Sequence, residues 1–83
     1  MDRQTCAIWM MMRMEENYIR EQQNPDASHE TIEKWRDDMF MACLQAGKLC
    51  GFTRQQSLDI FSAAADLWID KHMEEVHHDT ALV

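Results

Sequence analysis

Apolar residues recur at intervals of three and four over three segments of the chain, roughly residues 4–22, 29–50 and 54–78. This spacing places them on one face of an α-helix, because a helix turns about once every 3.6 residues. The sequence therefore predicts an all-α fold with three helices. The short connection between the second and third segments favours an antiparallel helical hairpin, and the first segment adds an N-terminal helix.

The segment boundaries carry residues that usually begin and end helices. Pro25 follows an asparagine and disfavours helix at that preceding residue. Either Asp26 or Ser28 can cap the second helix with its side-chain oxygen. Gly51 suits the left-handed conformation that often follows a helix end. Thr53 stands three residues before a glutamine, which is the spacing of a capping box at the start of the third helix.

The second and third predicted helices combine an apolar face with an acidic one. In the second helix the apolar residues follow a heptad-like seam, formed by Ile32, Trp35, Met39, Ala42, Ala46 and Leu49. The third helix repeats the arrangement with Phe61, Ala64, Ala65, Trp68 and His72. The acidic faces consist of Glu30, Glu33 and Asp37 on the second helix and of Asp59, Asp66, Asp70 and Glu74 on the third. Each helix thus has one side for a core and one side for solvent or a charged partner.

Two uninterrupted apolar runs, Cys6–Met12 and Met39–Leu44, break this amphipathic pattern. In a three-helix chain each helix packs on two neighbours, so a large side chain on the third side forgoes about 1.5–3 kcal/mol of burial. The runs therefore predict an intermolecular interface, most simply an intertwined or side-by-side homodimer. The alternative is that the methionines fill gaps in the core of the chain itself. The predicted interface residues are Ile8, Trp9, Met10, Met11, Met12, Met14, Phe40, Met41 and Leu44.

Length and charge narrow the classes of partner. With 83 residues the chain is expected to form one small domain, in which only about 60–65% of the unfolded surface is buried. From about residue 77 the tail has no evident partner and is expected to fray. Fifteen acidic residues against eight basic ones give a formal charge of −7. This charge argues against direct binding of a nucleic-acid backbone or an anionic membrane, and it favours a basic protein partner.

The cysteines and the apolar runs predict a cytoplasmic location. Three cysteines are an odd number, and without a secretory signal they favour free thiols in a reducing compartment over a disulfide framework. The longest apolar run spans seven residues, whereas a membrane-spanning helix needs roughly 20. It is also not followed by a small-residue cleavage site. We therefore expect a cytoplasmic protein that does not interact with membranes.

The histidine-rich segment at residues 72–79 contains side chains that could ligate a divalent metal. Glu74 and His78 lie four residues apart, while His72, Glu75 and Asp79 share another side of the helix. Imidazole and carboxylate are both competent ligands. No second cluster completes such a site, so a solvated helix end is the simpler interpretation. A metal-binding or sensor protein is kept as the alternative function, whereas the leading interpretation involves no metal or cofactor.

The sequence carries no catalytic motif. Glycine-rich phosphate loops and the GxSxG, HExxH and CxxC patterns are all absent from it. Adjacent acids such as Glu15 and Glu16 diverge on a helix and cannot act as a pair. Residues 39–69 superficially resemble a helix-turn-helix, but the acidic face of the third helix would repel a phosphate backbone. We therefore predict that the protein is not an enzyme and does not bind nucleic acid directly.

The acidic face of the third helix suggests a mode of action. Asp66, Asp70 and Glu74 stand about 6 Å apart along the helix axis, which is comparable with the separation of neighbouring phosphates on a strand. Such a face could occupy the basic, nucleic-acid-handling surface of a partner by charge mimicry. In size and charge the chain resembles the small acidic helical inhibitors made by phages and mobile elements. The sequence thus predicts a non-catalytic protein-binding module that acts stoichiometrically.

Overall fold

The computed structural model describes residues 2–81 of the chain, with side chains up to Glu74. It consists of three helices, α1 (Arg3–Gln23), α2 (His29–Leu49) and α3 (Arg54–Ala81), and no residue of this range lies in a β-strand. The all-α prediction is confirmed, and the largest difference from the expected boundaries is an end of α3 at Ala81 rather than at residue 78. The side chains from about residue 77, where fraying was predicted, lie outside the described part. Within that part, no helix combines the length and hydropathy needed to cross a membrane.

Side-chain caps fix where the second and third helices begin. Ser28 Oγ accepts a hydrogen bond from the Thr31 backbone N–H at 3.2 Å, so Ser28 rather than Asp26 caps α2. At the start of α3 the Thr53 N–H donates to Gln56 Oε1 at 2.9 Å, and the Gln56 N–H donates to Thr53 Oγ1 at 3.1 Å. These reciprocal bonds are the predicted capping box. They satisfy backbone groups that have no partner within the helix itself.

The α2–α3 hairpin is antiparallel and is tightest next to its turn. Gly51, with φ 87°, supplies the left-handed residue at which the chain reverses after α2. Next to the turn, a Cβ atom added at Gly47 would lie 2.7 Å from Ser57 Cβ, which is closer than van der Waals contact allows. Farther along, the rings of Phe40 and Phe61 meet edge to face with 5.1 Å between their centroids. The contact between the two helices thus changes from small residues near the turn to aromatic rings farther away.

The core is small and takes residues from all three helices. The buried apolar side chains of the described part are Cys6, Met10 and Met14 on α1, Cys43 on α2, and Ile60 and Ala64 on α3. Phe61, Ala65 and Trp68 pack against this cluster, as expected for the predicted apolar face of α3. Ile60 belongs to the same core but was not part of that predicted face. The sequence therefore located the buried side of α3 but not its most buried large residue.

The predicted seam on α2 is wrong at one position. Leu49 is 78% exposed and contributes nothing to the core. The buried residues of α2 are Cys43 and Gly47, which lie outside the predicted seam. The cause is that α2 packs against both α1 and α3. Its most buried residues therefore lie on the side of the helix between these two neighbours.

Candidate functional site

Helix α1 has two apolar faces, and only one of them contributes to the core. Cys6, Met10 and Met14 are buried, whereas Ile8, Met12 and Ile19 are 49%, 58% and 45% exposed. At about 100° per residue, the second set lies on the side of the helix opposite the first. We call Ile8, Met12 and Ile19 the outer stripe. It extends about 16 Å along the helix, and no other helix of the described chain covers it.

The predicted interface residues fall into three groups in the structure. Ile8, Trp9, Met12 and Met41 are exposed. Met11, Phe40 and Leu44 are half-buried. Met10 and Met14 lie in the core of the chain itself, where the alternative interpretation had placed the methionines. A surface that another molecule covers therefore excludes Met10 and Met14.

The exposed residues of the two apolar runs line different grooves. Trp9 of α1 and Leu49 of α2 lie along a groove of about 210 Å³ whose lining includes the small residues Ala42 and Ala46. Met41 and Leu44 line another groove, of about 530 Å³, between α2 and the start of α3. The lining of this second groove also includes Lys48 and Arg54. Met41 and Leu44 thus lie on a different groove from Trp9, although Ala42 of the same α2 run also lines the Trp9 groove.

All seven residues of the predicted acidic faces are exposed, in agreement with their spacing in the sequence. These residues are Glu30, Glu33, Asp37, Asp59, Asp66, Asp70 and Glu74. Glu33 pairs with His29 at 2.9 Å, and Asp59 accepts a hydrogen bond from Gln55 at 3.1 Å. The other five form no ion pair or side-chain hydrogen bond within the described residues. Their charge is therefore open to a partner.

A polar cluster joins α1 to α3 through Glu15. Its Oε2 accepts a hydrogen bond from Trp68 Nε1 at 2.7 Å and lies 2.9 Å from His72 Nε2. Both hydrogen bonds lower the pKa of the Glu15 carboxyl, because they favour its charged form. The bond with His72 has the larger effect and the bond with Trp68 the smaller. Tyr18 packs against both rings, with centroid distances of 5.6 Å to Trp68 and 4.8 Å to His72. His72, which the sequence placed on the apolar face of the third helix, thus directs its Nε2 atom to a carboxylate of α1.

The thiols are placed for packing rather than for nucleophilic chemistry. Burial raises the pKa of Cys43 to about 11. Burial is also the main reason that the pKa of Cys6 is raised, followed by the neighbouring Cys50, to which Cys6 is hydrogen-bonded. The thiolate is the reactive form of cysteine, so these shifts lower the reactivity of both groups near neutral pH.

The metal-binding alternative has its residues mostly beyond the described side chains. His72 and Glu74 are described, but Glu75, His78 and Asp79 are not. Among the side chains that are described, no group of three or more histidine, cysteine or acidic residues could hold an ion.

No protein-family model matches the chain, and no curated protein or solved structure is significantly similar to it.

Proposed function

We propose that the protein is a non-catalytic protein-binding module that self-associates through the outer stripe of α1 and binds a basic partner with its acidic faces. The outer stripe is the observation that carries this proposal. Covering Ile8, Met12 and Ile19, which lie in a row on one helix, would add free energy of apolar burial to a chain with few core residues. A second copy offers the same row, and a two-fold axis brings the two rows together.

The magnitude of this gain favours a concentration-dependent dimer. Covering the exposed half of one such side chain contributes about 1 kcal/mol, so three from each of two copies contribute roughly 6 kcal/mol. Association costs about 4–15 kcal/mol in lost translational and rotational freedom. The outer stripe alone therefore supports only weak pairing. Trp9, which is exposed beside the stripe, adds further apolar area to the pairing surface.

The acidic faces stay accessible in such a dimer because they lie on α2 and α3, whereas the outer stripe lies on α1. Five of their carboxylates have no ionic partner within the described chain, and the net charge of −7 steers a basic surface towards them. We propose that this partner handles nucleic acid and that the protein blocks it stoichiometrically, as phage and mobile-element inhibitors do. The free thiols agree with action in the cytoplasm.

Two matched double variants test the self-association. Ile8→Glu/Met12→Glu charges the outer stripe, and Leu67→Glu/Met73→Glu charges exposed apolar residues on α3. We expect sedimentation equilibrium to show a dimer for the parent chain and for the α3 variant, and a monomer for the α1 variant. All three should keep the same helical circular dichroism. A parent chain that stays monomeric at high concentration would contradict the proposal, as would an α1 variant that still dimerises.

A further inference from the structure

A groove lies between the three helices, beside the second half of α1 and the first half of α2. Its volume is about 340 Å³, near the lower limit of small-molecule sites, which is roughly 300 Å³. The walls are mainly apolar and include Met39 of α2 with Phe61, Ala65 and Ile69 of α3. A cavity of this volume and lining can hold a ligand of about one or two rings.

Two polar side chains of α1 line this groove and form no side-chain hydrogen bond with another described residue. Asn17 is 7% exposed, and its amide bonds to no other residue among those described. Glu21 Oε1 is buried and accepts no hydrogen bond. Arg36 Nε lies 3.0 Å from this oxygen and forms an ion pair with it, but its N–H group is not directed for a hydrogen bond. Both α1 side chains therefore have unused capacity to accept a hydrogen bond from a ligand.

We propose that this groove binds a small organic amine with an aromatic or branched aliphatic body. The ammonium group donates hydrogen bonds to Glu21 Oε1 and to the Asn17 side-chain oxygen, and the body packs against Phe61 and Ile69. Charge selects this class of ligand. An anion would meet the Glu21 carboxylate and a chain of net charge −7, and a neutral apolar molecule would leave both acceptors unbonded.

Arg36 is the group that the amine displaces. Its side chain is 61% exposed, so it can swing into solvent without disturbing the core. Its ion pair with Glu21 lacks a hydrogen bond, whereas the ligand ammonium can form one. The site also lies on the face of α1 opposite the outer stripe. The amine proposal is therefore independent of self-association.

Three probes that share an indole ring test the selectivity: tryptamine, neutral 3-methylindole and anionic indole-3-propionate. Binding is followed by NMR through the Asn17 side-chain NH₂ and the indole N–H of Trp68, which also lines the groove. We expect tryptamine to shift both signals in a saturable way and the other two probes to bind at least about tenfold more weakly, as for the loss of a charge-assisted hydrogen bond. Absence of tryptamine binding, or equal binding of either comparator, overturns the proposal.

Substitutions of Glu21 and Arg36, the two members of the ion pair, should change the affinity for tryptamine in opposite directions. Glu21→Gln and Asn17→Leu should each weaken tryptamine binding by about tenfold or more, whereas Arg36→Gln should strengthen it because the competing cation is removed. Arg20→Gln is the matched control, since Arg20 lies over the Trp35 ring and does not line this groove. Weaker binding by Arg36→Gln, or unchanged binding by Glu21→Gln, overturns the proposal.

One further variant distinguishes loss of the binding site from loss of the fold. Ala65→Met fills the groove from α3 and leaves both polar side chains in place. We expect it to keep the parent circular dichroism and to lose tryptamine binding. Full binding by a folded Ala65→Met chain would place the amine elsewhere and would overturn the assignment.

Discussion

The two ends of the bundle differ in how closely α2 and α3 approach each other. At the turn end, next to the α2–α3 connection, Gly47 and Ser57 let the helices approach until no methyl group fits between them. At the groove end, around Asn17, the side chains leave a cavity of about 340 Å³ between all three helices. Small residues bring α2 and α3 together at one end, and aromatic and long side chains hold them apart at the other. The turn end also borders a groove, of about 530 Å³, but α2, the turn and α3 line that groove, whereas all three helices line the groove around Asn17. The difference teaches that the close Gly47–Ser57 contact limits substitution at the turn end, whereas side chains of all three helices can reach a ligand at the groove end.

The largest expected effect comes from comparing one substitution in the core with one beside the groove. Met10 is fully buried in the core, whereas Met39 lines the groove. Met10→Ala should lower the free energy of unfolding by about 3 kcal/mol, because it removes a large side chain that is fully buried. Met39→Ala should cost about 1 kcal/mol, because its side chain is already beside open space. Urea unfolding at one fixed protein concentration measures both, and equal losses would contradict the comparison.

A smaller change in stability, opposite in sign to the usual effect of replacing a helical glycine by alanine, is expected at Gly47. Replacing a glycine inside a helix by alanine normally stabilises a protein by about 0.5–1 kcal/mol. Gly47→Ala should instead destabilise by about 2 kcal/mol, because the new Cβ meets Ser57. Thermal unfolding measures the change, and adding Ser57→Gly should recover part of it. A stabilised Gly47→Ala chain would show that the turn end is not tightly packed.

The local features of the fold were predictable from the sequence because they depend on neighbouring residues. Ser28, Thr53 and Gln56 form their caps within four residues of chain, so spacing alone indicates them. The surplus of apolar residues in α1 was also evident from its uninterrupted run. The spacing did not tell which of these residues face inward, because a run that is apolar all round has no preferred side.

The contacts at the groove end could not be predicted because they join distant parts of the chain. Glu15 and Trp68 are 53 residues apart, and nothing in the sequence pairs them. Asn17 looks like an ordinary polar residue on an amphipathic helix. Its burial follows only from the positions of α2 and α3, so its unused hydrogen-bonding capacity is a tertiary property. Sequence patterns therefore find the helices and the excess apolar surface, whereas the candidate ligand site requires the packed structure.

The smallest expected effect is a gain of stability at the groove end. Asn17→Leu replaces a buried amide that has no described hydrogen-bond partner with an apolar side chain of similar size. The residue is 7% exposed, so its amide loses most of its water on folding without gaining a described hydrogen bond, and its removal should raise the free energy of unfolding by about 1 kcal/mol. Glu16→Leu, at an exposed position one residue away, is the control and should change stability by only a few tenths of a kcal/mol. If Asn17→Leu instead destabilises the chain, the amide has a structural partner and is not available to a ligand. If it stabilises the chain, the parent residue is retained at the expense of stability, as expected for a residue that serves a ligand.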